Sequence, residues 1–197
     1  MKKVVLVGAG GHSKSMIDLI LSTEMWEIAG IVGLESELGQ SILDIKVKWT
    51  DKDLQRISKE YKYIVLAIGE IGSARMRVKK INDLKLLGYK LPTIISPNSY
   101  VSKYSRIEEG CTIGHFAIVN ANCNIGKHCI INTQSLIEHD THIGDFSHIS
   151  TSVTVNGGVK IGRESFIGSK VMIREGLSLP RGTIISAGKR VMGWPLK

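Results

Sequence analysis

The chain has 197 residues, is 43% hydrophobic and 22% charged, and carries a formal net charge of +8. That length suits one or two domains with a real core, and no apolar run reaches the roughly 20 residues that a membrane-spanning helix needs. The charge favours anionic partners, but the basic residues are scattered without the aromatic interleaving of single-strand binders, so nucleic acid is not expected. A phosphate-bearing small molecule and a merely solvated basic surface both account for the balance.

In chain order, the run Lys3–Val7 reads as a buried strand and ends in Gly8-Ala9-Gly10-Gly11-His12. The glycines interrupt it too early for a secretory signal, and a cytoplasmic protein is expected. A helix is predicted over 13–22, a strand over 28–32 and a helix over 51–61. A strand over 63–68 then ends at Gly69, and a helix over 74–87 closes at Gly88. Strands alternating with helices imply a small parallel sheet, an α/β Rossmann-like domain over residues 1–90.

A strand, a glycine turn and a helix start can hold phosphate through free N–H groups and the positive helix end. The dinucleotide fingerprint is incomplete, because Ser13 stands where its third glycine belongs. Gly33-Leu34 also stand where an acid should close the second strand. A full NAD site is not expected. A mononucleotide or nucleotide-sugar site is one reading, and a purely structural glycine turn is the other.

From residue 95 a different rule takes over. Every sixth residue is aliphatic, from Ile95, Val101 and Ile107 through to Ile185 and Val191, seventeen in succession. Neither the helical nor the strand period produces this, and hexapeptide periodicity marks a parallel β-helix, here over 91–197. With the aliphatic residue as slot one, slot two is often Gly, Asn or an acid, types that tolerate tight corners. Slot five is mostly small or β-branched. Three hexapeptides make one triangular coil, so residues eighteen apart should stack. Cys111, Cys123 and Cys129 all occupy slot five and read as small core residues, without a disulfide or a metal-binding Cys-x-x-Cys pair.

The segment Ile137–His148 holds three of the six histidines and three carboxylates. His139 falls in slot three, outside the inward slots, and should project. A neighbouring carboxylate, Asp140, can hold one tautomer and raise the basicity of the ring, as a general base requires. Two rival readings are a metal site from His139, His142 and His148, and polar surface without a role. Slots three and six point in different directions, which counts against the metal.

The order Gly-Ala-Gly-Gly-His, Ala-Ile-Gly, Ser-Pro-Asn, Ile-Glu-His-Asp and Ile-Gly-Asp-Phe-Ser-His-Ile-Ser closely resembles the sialic-acid O-acetyltransferase and nucleotide-aminosugar N-acetyltransferase family. The resemblance implies a left-handed parallel β-helix behind the Rossmann-like domain, and a homotrimer with active sites in clefts between neighbouring β-helices. It also implies acetyl-CoA as co-substrate, no required metal, and an N-terminal domain that holds the acceptor's nucleotide. His139 would then be the base, Asp140 its orienting acid, and His148 a contact near the thioester. Ser169 and Ala187, with Gly157 close by, would line the pantetheine channel, and Gly10, Gly11, His12 and Gly69 would hold the nucleotide-sugar. The family usually has two acids where this chain has Gly33-Leu34.

The expected reaction is acetylation of the amine of a nucleotide-linked sugar in bacterial surface-glycan synthesis. O-acetylation of a free sugar such as sialic acid is the alternative. A metal-dependent hydratase and a non-catalytic scaffold are the readings from other classes.

Overall fold

Four apolar residues in a row, Val4 to Val7, are almost wholly buried and form most of strand β1, Lys2–Val7. The computed structural model describes residues 1–69 and 74–195, and the chain divides into two compact units, one of residues 1–69 with 75–92 and one from 93 onward. In the first unit β1 is followed by α1 (Gly11–Ser22), β2 (Trp26–Gly33), β3 (Ser41–Ile42), β4 (Ile45–Thr50), α2 (Leu54–Ile57), β5 (Tyr63–Leu66) and α3 (Arg75–Leu86). The sheet order is β3-β4-β2-β1-β5, parallel except for the short β3 hairpin partner at the edge. α1 buries Met16, Ile17, Leu19 and Ile20, and α3 buries Ile81 and Leu84.

Three expectations need correction. α1 starts at Gly11, two residues before the predicted start. Residues 51–61 do not form one helix: a 3-10 turn at Asp51–Asp53 leads into the single turn of α2. The Asp53 carboxylate accepts the Thr50 N–H at 3.0 Å and starts this turn, but only Leu54 and Ile57 bury side chains, too few to sustain a longer helix. The region before it is the strand β4, which was not anticipated. Its signal is period-two alternation, with Val47 buried between exposed Lys46 and Lys48.

The second unit is a parallel β-helix of seventeen two-residue strands, from Ile94–Ile95 to Arg190–Val191. Each pairs in parallel with the strand eighteen residues further on, as Ile137 does with Val155, and the strands form three sheets of six, five and six. From Ile113 to Val191 every slot-one residue is at most 3% exposed, so the repeat is the core. Each such burial contributes about 1.5–3 kcal/mol. The first coil is looser, and Ile95 remains exposed.

Slot five does more than fill space. Its hydroxyl or thiol donates to the slot-two carbonyl fifteen residues on: Ser135 to Ser150 at 2.8 Å, Cys111 to Gly126 at 3.0 Å, Cys123 to Glu138 at 3.1 Å and Cys129 to Gly144 at 3.2 Å. All three cysteines are buried and free of disulfides.

The corner assignment also changes. Left-handed backbone falls in slot four, at residues as varied as Phe116, Asn122, His128, Gln134, Asp140, Phe146 and Lys170. Slot-two glycines serve close approach instead, since a Cβ on Gly144 would run into the backbone of Arg163 in the next coil. No helix among the described residues is long and apolar enough to cross a membrane.

This packing yields a stability prediction. Gly144→Ala forces two coils apart and should lose about 1–3 kcal/mol in urea denaturation. Cys129→Ser keeps a slot-five donor and should change stability by less than about 1 kcal/mol. Equal effects of the two changes would contradict the close-approach account.

Candidate active site

The corner after Leu136–Ile137 carries Glu138, His139, Asp140 and Thr141 into the strand His142–Ile143. Ile137 and Thr141 point into the core, which leaves slots three and four outside. His139 and Asp140 are exposed there, and His139 Nδ1 lies 2.7 Å from Asp140 Oδ2. The other oxygen, Asp140 Oδ1, accepts from Asn122 Nδ2 at 2.6 Å, and Glu138 Oε2 accepts from Asn120 Nδ2 at 2.8 Å. Both asparagines were missed by the sequence reading. The signal that finds them is the eighteen-residue stacking itself.

The charges follow the bonds. The hydrogen bond to Asp140 raises the His139 pKa above the ordinary imidazole value, against an opposing effect of desolvation. Asp140 is held below the ordinary carboxylate range, first by Asn122 and then by His139. Nδ1 donating to the carboxylate leaves Nε2 as the lone-pair nitrogen of the neutral ring.

Gly157 stacks one coil beyond His139. A Cβ at this position would lie 2.7 Å from His139 Cε1 and 2.8 Å from Nε2, so glycine leaves the room in which the imidazole lies over the backbone. The backbone is pinned on both sides, by Gly158 N–H to the His139 carbonyl at 2.9 Å and by Asp140 N–H to the Ala121 carbonyl at 3.1 Å. The slot-three N–H groups stand outside this ladder. Asp145 and Asn132 side chains accept them at Lys127 and Thr133, both at 2.8 Å. Among the described residues no backbone carbonyl accepts from Gly157 N–H, so the residue packed against the ring keeps a donor outside the backbone ladder. Gly157, expected near the pantetheine channel, thus lies directly beside His139.

The remaining β-helix residues are elsewhere. His148 is buried on the sheet that holds Ile130 and Phe166, with its ring edge-on to Phe166 at a centroid distance of 5.3 Å. Ser169 is at the corner after Phe166–Ile167, its Oγ 2.9 Å from Ser150 Oγ, and Ala187 stacks above it. One chain therefore puts His148, Ser169 and Ala187 around a different face from His139 and Asp140. His139, His142 and His148 do not converge. Among the described residues no group of three or more His, Cys, Asp or Glu is placed to hold a metal.

In the first unit a cavity of about 450 Å³ opens beyond the ends of β1 and β2. Its wall runs from Gly8, Ala9 and Gly10 past Leu34, Glu35, Thr50, Asp51 and Lys52 to Lys80. Ser13, which breaks the dinucleotide fingerprint, is fully buried and its hydroxyl donates to the Gly10 carbonyl, so it closes the turn from within. Of the four residues expected to hold a nucleotide-sugar, only Gly10 lines this cavity; Gly11, His12 and Gly69 do not. The early start of α1 turns His12 against Gly69, where a Cβ would lie 3.1 Å from His12 Cβ. Burial, helped by the charge of Arg77, lowers the His12 pKa, so the ring is neutral near pH 7. An acid does reach the cavity where the sequence suggested none. Glu35 lies just beyond Gly33-Leu34 and pairs with Lys52, while Asp51 pairs with Lys80 at 2.5 Å.

The His139–Asp140 pair carries a pH prediction. In the folded protein His139 should titrate above the ordinary imidazole value in an NMR titration, and Asp140→Asn should bring it down. The raised value means that the pair's contribution to stability is fully present below the ordinary imidazole pKa and is lost as pH rises through the raised one. An unchanged titration in Asp140→Asn would contradict the pairing.

Comparison with known proteins bears on the fold and its class. Residues 3–84 match the PglD N-terminal domain family, and residues 104–139 match the bacterial transferase hexapeptide family. No protein of curated function matches the sequence significantly. Among solved structures, perosamine N-acetyltransferase from Caulobacter crescentus, in complex with CoA and GDP-perosamine, is 27% identical with a TM-score of 0.90, covering 98% of this chain and 89% of that one. The acetyltransferase domain of PglB from Neisseria gonorrhoeae FA1090, in complex with acetyl coenzyme A, is 29% identical with a TM-score of 0.85, covering 96% and 92%. WeeI from Acinetobacter baumannii, at 21% identity and a TM-score of 0.64 over 100% and 99% of the two chains, shares the fold. The chain thus carries a segment of the PglD N-terminal domain type and a segment of bacterial transferase hexapeptide repeats, and along nearly its whole length its fold is similar to that of N-acetyltransferases solved with CoA.

Proposed function

We propose that this protein transfers the acetyl group of acetyl-CoA to the amine of a nucleotide-linked amino sugar, with His139 as the general base. The observation that carries this reading is the His139–Asp140 pair beside the Gly157 N–H. A proton acceptor and an oxyanion donor stand together there on an exposed corner of an acetyltransferase fold. Similarity to an enzyme solved with CoA and GDP-perosamine supports the substrate class.

In this mechanism the neutral amine attacks the thioester carbonyl carbon. Negative charge develops on the carbonyl oxygen, and Gly157 N–H donates to it. His139 Nε2 removes the proton from the nitrogen of the tetrahedral intermediate, and Asp140 stabilises the imidazolium through Nδ1–H. Collapse of the intermediate expels the CoA thiolate, which takes the proton from His139 and leaves as the thiol. The three cysteines are buried in slot five, and no covalent enzyme intermediate is needed.

The cavity of the first unit suits the acceptor's nucleotide. The glycine turn at Gly8–Gly10 would face the diphosphate, and Glu35 would replace the acids missing at Gly33-Leu34 in holding ribose hydroxyls. His148, Ser169 and Ala187 would meet acetyl-CoA. Since one chain separates them from His139, we propose a homotrimer of cyclic symmetry in which the face of one copy confronts the His139 corner of its neighbour. An enzyme using acetyl-CoA in this way belongs in the cytoplasm, where that thioester is made.

Two measurements test the proposal. A thermal-shift panel of acetyl-CoA, UDP-, GDP- and dTDP-linked amino sugars and free sialic acid should single out acetyl-CoA and one nucleotide-sugar, because ligands that bind only the native state raise its melting temperature. Stabilisation by sialic acid alone would favour O-acetylation. With the acceptor so identified, His139→Ala should lower kcat roughly 10²- to 10⁴-fold, the usual contribution of a positioned base, while acetyl-CoA affinity changes little. Near-normal turnover in that variant would refute the mechanism. Light scattering should give the mass of three chains, and a monomer at micromolar concentration would contradict the assembly.

A further inference from the structure

We infer that Asn122 is a positioning residue for the reaction: its amide locks the Asp140 carboxylate so that His139 presents the Nε2 lone pair. The inference rests on the reading of His139 as the base, and it extends that reading one coil towards the N-terminal end of the β-helix.

The geometry is a three-residue relay across one corner. Asn122 and Asp140 are eighteen residues apart and therefore stacked, and both hold left-handed backbone, with φ of 61° and 60°. Asn122 Nδ2 donates to Asp140 Oδ1 at 2.6 Å while Oδ2 faces His139 Nδ1 at 2.7 Å, so each carboxylate oxygen has one fixed partner. An exposed carboxylate with a single partner can rotate about its Cβ–Cγ bond and exchange that partner for water. A second bond on the far oxygen removes this freedom. The other acid next to His139, Glu138, is tied to Asn120 at 2.8 Å and does not compete for Asp140's place.

Residue type fits the task. Asparagine tolerates left-handed backbone better than most side chains and carries an amide donor at the right reach. In the next two coils the same corner holds Gly158 and Gly176, with φ of 69° each. Glycine is therefore native to the position, and Asn122→Gly removes the amide without straining the backbone.

The relay is read directly from the tautomer of His139 by ¹⁵N NMR of the full-length protein with labelled histidine, above the imidazole titration, with the signal assigned through His139→Ala. Free neutral imidazole side chains prefer the proton on Nε2, whereas the relay puts it on Nδ1. The wild-type ring should be predominantly Nδ1–H, Asp140→Gly should revert it to mainly Nε2–H, and Asn122→Gly should shift it part of the way with an unchanged melting temperature. The double variant should match Asp140→Gly alone, because Asn122 has nothing left to orient. A wild-type tautomer in Asn122→Gly, or a double variant that differs from Asp140→Gly, would overturn the inference. The tautomer is independent of turnover, so failure here is distinct from failure of the proposed base, which His139→Ala kinetics judge separately.

Discussion

The inter-coil hydrogen bonds fix where every side chain of the second unit stands. Most hexapeptides donate from slot six, slot two and slot four to a neighbouring coil, as His142 does to the Val159 carbonyl, Gly144 to Ile161 and Asp140 to Ala121. With those three bonds made, the backbone has no freedom to slide, and residues eighteen apart are stacked. Slot one then has to fill the prism, slot five has to be small, and slot four has to adopt left-handed backbone whatever its residue type. A non-glycine left-handed residue is ordinarily disfavoured by about 1–2 kcal/mol. Here it recurs in coil after coil, which is possible because the ladder over-determines the corner.

The proposed chemistry would use what that ladder leaves over. Slots three and four are the positions whose side chains need not enter the core, and among the described residues slot-three N–H groups have no place among the inter-coil backbone bonds. His139 and Asp140 occupy the first set, and Gly157 N–H belongs to the second. A base, its orienting acid and a free backbone donor can therefore be placed beside one another on a rigid framework, without a loop and without strain beyond what every corner of the helix already has. The slot-five ladder adds to this rigidity. Thr141, next to Asp140, is buried and donates to the Asn156 carbonyl at 3.2 Å, immediately before Gly157.

The first unit works from a different constraint. Its sheet ends expose the turn from Gly8 to Gly10, and the cavity forms because β4 and the 3-10 turn after it carry Thr50, Asp51 and Lys52 to the same end as the glycines. Ion pairs Glu35–Lys52 and Asp51–Lys80 line it. They are largely solvent-exposed, apart from Lys80, and such pairs are worth little to stability. Their acidic and basic groups could accordingly be redirected to the nucleotide proposed for this cavity.

The sixfold aliphatic repeat made the β-helix, its core and the projection of His139 readable from the sequence, because a prism with three bonds per hexapeptide admits one register. The alternation of strands and helices likewise announced the α/β unit, and the adjacency of His139 and Asp140 announced their pairing. Only the tertiary structure decided the rest. The contacts from Asn122 to Asp140 and from Gly157 to His139 span eighteen residues, so they exist only when coils stack, and nothing in either residue's own surroundings marks it. Glu35, Asp51 and Lys80 come from three separate elements that meet only once the sheet is formed. The separation of His148 from His139 follows from the prism's three faces, because nine residues along the chain carry the second histidine to another face.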